Sequence, residues 1–389
     1  MVFLRRIIHL LAETVRELQE RKFRSFHKRL QKHVIFDPKR IESIKNFHLT
    51  KEQELAIDTF YLSNYGQKVN HTCHRTYTAY SGIFSPDFIT ETIYIPELDH
   101  FLNIFNAYNS VFEDKNVMPH IAKSVGVKTP QVLCSCVKGF YLDGENRPTT
   151  LEHVLHMLHN HGRLFIKPSV DSMGGRSCVL AAIKEGIDLE SQQSLKLILS
   201  QMGNDFVVQE CLTCHESLRK IYPQSVNTFR VFTYRWKDQI YIAPSVIRIG
   251  KGGMNVDNAT QGGIFAGIKN DGQLYDFAIT KYGQRFYEHP DTGLHFGDYK
   301  LPLFPKVIDA ALNLHHALPQ VGVANWDLTL DDNGDVVLIE GNLRCGSPWL
   351  SQMSTGLPFF GEHTAAMLQW LQKMKKLSPS ERPKHAFGY

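Results

Sequence analysis

The sequence predicts an α+β protein with antiparallel sheets, preceded by a helical extension. Three observations lead there. From Val132 onward short apolar runs alternate with helical stretches. Asp331-Asp332-Asn333-Gly334 separates two strand-like runs and is a strong hairpin signal. Before Gly66, the pattern is helical rather than alternating.

Residues Val2 to His33 form a basic amphipathic helix, with Leu4, Ile7, Ile8, Leu11 and Val15 on one stripe. Packing on the main body is the plainer reading of it. The sharper one is a peripheral contact with a membrane or a membrane-bound partner. Thr50 to Tyr65 reads as a second helix, opened by the capping pattern Thr50-Lys51-Glu52-Gln53 and stopped by Gly66. A short β-rich piece follows around Ile93 to Ile95, then a helix over Asp114 to Val125 and a turn at Gly126 to Pro130. VLCSCV, GRLFIKP and FVVQECL read as strands, with a helix over Thr150 to His159. NTFRVFTYRW and IYIAPSVIRIG are two long β runs, and LYDFAI is another strand. Pro305 to Ala317 is an amphipathic helix, ANWDLTL and DVVLIEGN flank the hairpin turn, and a helix over Phe360 to Lys376 closes the fold. The expected division is a helical extension at 1–66, a preceding region at 67–130, a small lid at 131–206 and a large subdomain at 207–389.

With 389 residues, 43% hydrophobic, the chain is long enough for two or three cores. A net charge of +4 on 43 basic and 39 acidic side chains does not call for nucleic acid. No apolar stretch approaches the roughly 18 residues of a membrane span, and Arg5, Arg6 and His9 break the opening run too early for a signal peptide. Seven cysteines in a chain of this size read as reduced thiols, which places the protein in the cytoplasm. Cys211, Cys214 and His215 have zinc-like spacing, with Cys73 and His74 to complete a site, but Cys211 falls within an apolar strand.

The most informative segment joins Asn325-Trp326-Asp327 to Glu340-Gly341-Asn342 across the hairpin. Asp327 and Glu340 come near each other on the ladder, and Glu340 and Asn342 share a face. Three hard oxygen ligands there suit Mg²⁺. A charge that continues the apolar run Val336 to Ile339 is costly unless paired or bound to metal. Upstream, a strand delivers Lys167 into the small loop Ser172, Met173, Gly174, Gly175, Arg176 and Ser177, whose glycines let backbone N–H groups approach a phosphate. A plain hairpin turn accounts for that loop equally well. Gln209, Glu210, Cys211 and Leu212 end an apolar strand and can meet adenine through the backbone, with Glu216 placed for ribose, although an ordinary strand end accounts better for this segment taken alone. Arg230, on the strand that follows Asn227, suits bidentate phosphate contact.

Taken in order, FIKPSVDSMGGRS, VVQECL, NTFRV and NWDLTL with VLIEGN resemble the motifs of the ATP-grasp superfamily, over roughly residues 100 to 360. DK…VGVKTP, VNTFRVFTYR, Gly262-Gly263 and WDLTLDDNGDVVLIEGN look most like its sugar-transfer-associated group. The resemblance implies an ATP-grasp fold. It also implies an ATP- and Mg²⁺-dependent ligase that activates a carboxylate as an acyl phosphate and passes it to an amine. Lys115 and Lys167 are then expected on the α- and β-phosphates, and Ser172 to Ser177 over the triphosphate. Gln209, Glu210, Cys211, Leu212, Glu216 and Asn227 belong to the nucleotide site in this reading, and Asp327, Glu340 and Asn342 to the metal site. Arg230 is expected on the transferring phosphoryl group. Many ligases of the superfamily carry an Arg where this chain has Asn325; Arg344 is the expected substitute. Lys251 to Gly263 and Gly341 to Gly361, with Ser347, Trp349 and Gln352, are candidates for substrate contact. A kinase acting on a hydroxyl and a non-catalytic nucleotide-binding module remain open alternatives.

Overall fold

The computed structural model describes residues 2–104, 109–170, 178–344 and 346–389. Two antiparallel sheets organise them. The smaller sheet holds β1 (Val132–Val137), β2 (Phe140–Asp143), β3 (Gly162–Pro168), β4 (Val179–Lys184), β5 (Ile187–Asp188) and β6 (Phe206–Glu210), in the order β2-β1-β6-β3-β4-β5. The larger contains β7 (Thr228–Trp236), β8 (Gln239–Ile242), β9 (Ser245–Ile249), β10 (Ile264–Ile268), β11 (Leu274–Ile279), β12 (Arg285–Phe286), β13 (Val323–Leu330) and β14 (Val336–Asn342). Its order is β12-β11-β10-β9-β7-β13-β14, with β8 paired to β7. Because β6 lies between β1 and β3, the smaller sheet runs past the division expected at 206/207.

Strand alternation sorts the side chains. In the small sheet, Leu164, Ile166, Ala181, Ile183, Phe206 and Val208 enter a core closed by helices Leu151–Met157 and Leu195–Gln201. In the large sheet, Phe229, Val231, Ile247, Ile249, Trp326 and Leu328 pack against Val307, Ala311 and Leu314 of helix Phe304–His316. The opposite face of the large sheet is divided. Phe232, Tyr234, Trp236 and Val323 meet helices Lys51–Tyr65 and Thr364–Lys376 in a further core. Nearer the small sheet, the same face of β7 carries Thr228 and Arg230, which line a cleft.

Local signals act as the sequence reading expects at several points. Thr50 and Gln53 form a reciprocal capping box, and Gly66 closes that helix at φ 79°, where a side chain is disfavoured. Gly334 closes the β13–β14 hairpin at φ 78°. Other expectations are corrected. Ile93 to Ile95 is helical, at the junction of Glu91–Ile93 and a wide helical turn Tyr94–Asp99, because these side chains are fully packed on all sides. The helix expected from Asp114 begins at Met118, since Asp114 accepts from the backbone of Asn116 in a turn and Pro119 sits at the true start. The run IYIAPSVIRIG is split at Ala243-Pro244, where proline has no N–H for the ladder.

The long helix Val2–Ile35 meets the body through polar groups. Glu17 and Glu20 both bind the buried Arg382, Glu17 at 2.7 Å, and Glu13 accepts from the Ser380 N–H at 3.0 Å. No helix among the described residues is long and apolar enough to cross a membrane.

Asn103 ties the preceding region to the large sheet. Its amide donates to Val323 O at 3.1 Å and Leu343 O at 3.0 Å, while its oxygen accepts from Gly322 N at 2.9 Å and Val323 N at 3.2 Å. Asn103→Ala removes these partners from Gly322 and Val323, while Leu343 O keeps the Asn109 amide at 3.0 Å, and is expected to cost about 3 kcal/mol. Chemical denaturation measures it, and a cost below about 1 kcal/mol contradicts the assignment.

Candidate functional site

A cleft of about 1610 Å³ opens between the two sheets. Its small-sheet wall is the face of β3 and β4 left over by the core: Arg163, Phe165 and Lys167 from β3, with Cys178 and Leu180 opposite. Phe165 and Leu180 pair directly in register and make an apolar patch beside the lysine. Gln209, Glu210, Cys211, Leu212 and Thr213 line the passage from one sheet to the other. Thr228 and Arg230 from β7, Arg248 from β9, Asp327 from β13 and Glu340 and Asn342 from β14 form the facing wall.

A β-bulge decides the aim of Glu340. Asp327 pairs with Glu340, but Leu328 pairs with Leu338, so Ile339 is an extra residue in β14. Leu338 enters the core opposite Leu328. Without the bulge, Glu340, two residues on, would point to the same side as Leu338. With it, Glu340 lies beside Asp327, and the Ile339 carbonyl accepts from Lys167 Nζ at 3.4 Å.

Charges crowd this wall. Arg230 grips Asp327 with two hydrogen bonds, at 2.5 and 2.9 Å, and Arg248 lies 3.6 Å from the same carboxylate. Arg248 also donates to Thr228 Oγ1 at 2.9 Å and lies 3.4 Å from Asp257, which in turn accepts from Thr228 N at 3.0 Å. Lys115 Nζ is 3.0 Å from Glu340, and its backbone N–H donates to Ser169 O at 2.9 Å across the cleft. Burial works against the charge of Asp327, but Arg230 and Arg248 outweigh it and hold its pKa below the ordinary carboxylate value. Burial, then the neighbouring Lys115, push Lys167 down to about 8, with Glu340 pulling the other way. Burial raises the pKa of Asp257 despite Arg248. The cations Lys115, Lys167, Arg230 and Arg248 face the carboxylates Asp327, Glu340 and Asp257, an excess of positive charge that suits a polyanionic ligand.

Residues 97–365, more than half of the chain, match the model of sugar-transfer associated ATP-grasp proteins. The chain belongs to this ATP-grasp family. Its two antiparallel sheets around a cleft are thus the two subdomains of an ATP-grasp fold. No curated protein matches the sequence. Among solved structures it is similar to carboxyaminoimidazole ribonucleotide synthase from Aspergillus clavatus complexed with ATP, at 11% identity and a TM-score of 0.39, over 64% of this chain and 51% of that one. An L-amino acid ligase from Bacillus licheniformis shares 14% identity, with a TM-score of 0.36 over 69% of this chain and 49% of that one. A D-Ala:D-Ser ligase from Enterococcus faecalis shares 13%, with a TM-score of 0.39 over 67% and 61%. The matched part of this chain spans about half the length of the first two structures.

Of the residues singled out in the sequence, Lys115, Lys167, Gln209, Glu210, Cys211, Leu212, Arg230, Asp327, Glu340, Asn342 and Arg344 line the ATP-grasp cleft. Ser172 to Ser177 lie outside the described residues. Three positions are corrected. The Asn227 side chain is buried away from the cleft, where its amide donates to Leu218 O and Tyr222 O and shapes the turn before β7. Glu216 opens a short surface helix and pairs with Lys220 at 2.8 Å, outside the cleft. Gln352 is buried, bonding both backbone groups of Ile89. Arg344 reaches the cleft rim but is held by Glu113, at 2.5 Å, and Arg248 instead adds the second cation at Asp327. Sequence reasoning passed over Arg248 and took Asp257 only as part of the candidate substrate segment Lys251 to Gly263. The signal for Arg248 was present, an arginine inside the apolar run Ser245–Ile249. Among the described residues no group of three or more His, Cys, Asp or Glu forms a metal site, so the zinc spacing at Cys211 and Cys214 is not gathered into one. Cys214 is buried against Thr329.

The folded pKa of Lys167 lies below its ordinary value, so its charged form costs stability at neutral pH. That cost is relieved as pH rises from about 8 towards the unfolded value. Lys167→Met is therefore expected to stabilise the ligand-free protein at pH 7 by about 1–2 kcal/mol and to change it little near pH 10. Thermal unfolding at the two pH values tests this; a variant less stable than the parent at pH 7 contradicts it.

Proposed function

We propose that the chain is an ATP-dependent ligase that joins a carboxylate to an amine through an acyl phosphate, releasing ADP and phosphate. The observation that carries this reading is the convergence of Lys115, Lys167, Arg230 and Arg248 on the facing carboxylates Asp327 and Glu340, in one cleft between the two sheets. Family membership agrees with it.

Phosphoryl transfer asks a protein for alignment and charge neutralisation more than for covalent chemistry. Phe165 and Leu180 cover the adenine, and the backbone from Gln209 to Leu212 meets its polar edge. Lys115 and Lys167 hold the α- and β-phosphates. Arg230 and Arg248 turn from Asp327 to the transferring phosphoryl group and then to the oxyanion formed when the amine attacks. Asp327, Glu340 and Asn342 offer two carboxylates and an amide oxygen, a hard set that would hold Mg²⁺. Mg²⁺ held there would neutralise the triphosphate and keep it in line. The substrate carboxylate attacks the γ-phosphorus, ADP leaves, the amine attacks the acyl carbon, and phosphate departs. The loop Asn255 to Gln261, with Ser347 and Trp349, lines the part of the cleft left for the small-molecule or peptide substrates. The acyl phosphate has to be kept from water, which otherwise hydrolyses it.

A screen of amino acids, peptides and amino sugars for ADP release tests the reaction class. Free phosphate is expected only when acid and amine are both present; phosphate retained on a hydroxyl would establish a kinase instead. Asp327→Asn and Glu340→Gln are each expected to lower turnover at least about 100-fold with the fold intact, and near-normal activity in either removes the metal assignment. Phosphate binding requires protonated Lys167, so the Kd for ATP is expected to rise about tenfold between pH 7 and pH 9. Calorimetric titration checks this. A flat profile in the parent protein excludes Lys167 from the phosphates.

A further inference from the structure

The helix Val2–Ile35 is mounted with its polar side inward. Its three acidic residues, Glu13, Glu17 and Glu20, all face the body, where they meet Ser380, Arg382 and His100. The outer side carries Ile8, Leu11, Val15, Leu18, Phe26 and Leu30, each between 42% and 60% exposed. The first four recur at intervals of three and four residues and so form one stripe along the helix. Arg5, Arg6, Arg16, Arg21, Lys22, Lys28, Arg29 and Lys32 are exposed as well, Lys22 and Arg29 within the outer face itself, while no carboxylate of the helix is. A helix that packs on its own domain ordinarily buries its apolar stripe; here that stripe is left to an outside partner.

We propose that this outer face is a docking surface for an anionic lipid bilayer. An apolar stripe with flanking cations, and every acid withdrawn to the far side, matches a surface of acyl chains below negative headgroups. A second copy of the chain fits poorly, because face-to-face apposition sets the same basic rows against each other. The helix is too polar to span the bilayer and lies along it. Phe23 and His27, from its inner flank, line the cleft. Docking therefore holds the part of the cleft lined by Phe23 and His27 within about one helix diameter, roughly 10 Å, of the lipid surface. Substrates carried at that surface can then reach the cleft without a free aqueous step.

The test is flotation of the full chain with vesicles of phosphatidylcholine alone or mixed with phosphatidylserine, without nucleotide. The expected result is binding to the mixed vesicles, at least about tenfold weaker on phosphatidylcholine alone, and weakened by salt. Leu11→Glu with Leu18→Glu, and separately Lys28→Glu with Arg29→Glu, are each expected to weaken binding at least about tenfold. Both pairs are exposed, so the thermal midpoint should be unchanged. Absence of binding to the mixed vesicles, equal binding to both compositions, or binding indifferent to both variants overturns the proposal. So does light scattering that shows a dimer dispersed by Leu11→Glu with Leu18→Glu while vesicles leave the protein free.

Discussion

A buried carboxylate held between two guanidinium groups governs the middle of this molecule. Asp327 is almost wholly buried and would be very costly there alone; Arg230 and Arg248 compensate it. Each arginine stands on a different strand, so the ion pairs also lock the relative register of β7, β9 and β13. The same balance keeps the cleft wall from collapsing into an apolar core. Lys115 on Glu340, and Thr228 with Asp257 on Arg248, extend the arrangement into one connected polar layer. Such a layer is rigid when every member is satisfied and reorganises as a unit when a new charge arrives.

One face of the large sheet serves two purposes along the length of each strand. On β7, Thr228 and Arg230 belong to the cleft, whereas Phe232, Tyr234 and Trp236, with the same orientation, lie under helices. On β13, Asp327 lines the cleft, whereas Val323, with the same orientation, lies in the covered core. The helices covering the apolar half thus set the floor on which the charged half is displayed. Trp326 anchors that floor from the other side, fully buried and donating to Thr233 Oγ1 at 2.8 Å.

The parts of this architecture that depend on neighbours in sequence were readable before the structure. The Thr50–Gln53 capping box, the Asp331–Gly334 hairpin, and the alternation in GRLFIKP and NTFRVFTYRW are local, and each resolves into the expected element. That Asp327 and Glu340 come near each other follows from the hairpin, but their direct opposition depends on the bulge at Ile339, which the hairpin signal does not contain. A bulge is a property of two paired strands, and period two in β14 alone would have put Leu338 and Glu340 on one side. Arg248 was missed although the cost of a charge in an apolar run applies to it as much as to Glu340. Asn227, Glu216 and Gln352 were assigned by position beside a motif. Their actual partners, Leu218 O, Lys220 and Ile89, are decided by how the turn and helices pack. Ile93 to Ile95 shows the same limit: β-branched side chains fit a helix when every side of it is buried.

The chain enters the small sheet at β1 and leaves it at β6, and these two strands are neighbours, with Val132 opposite Gln209. Both crossings between the subdomains therefore lie side by side, like the two leaves of a single hinge. A torsion change near Gln131 and Cys211 would carry Phe165, Lys167 and Leu180 together, because all three stand on one hydrogen-bonded sheet. A ligand thus engages that wall all at once, and the energies of its contacts there are coupled rather than additive.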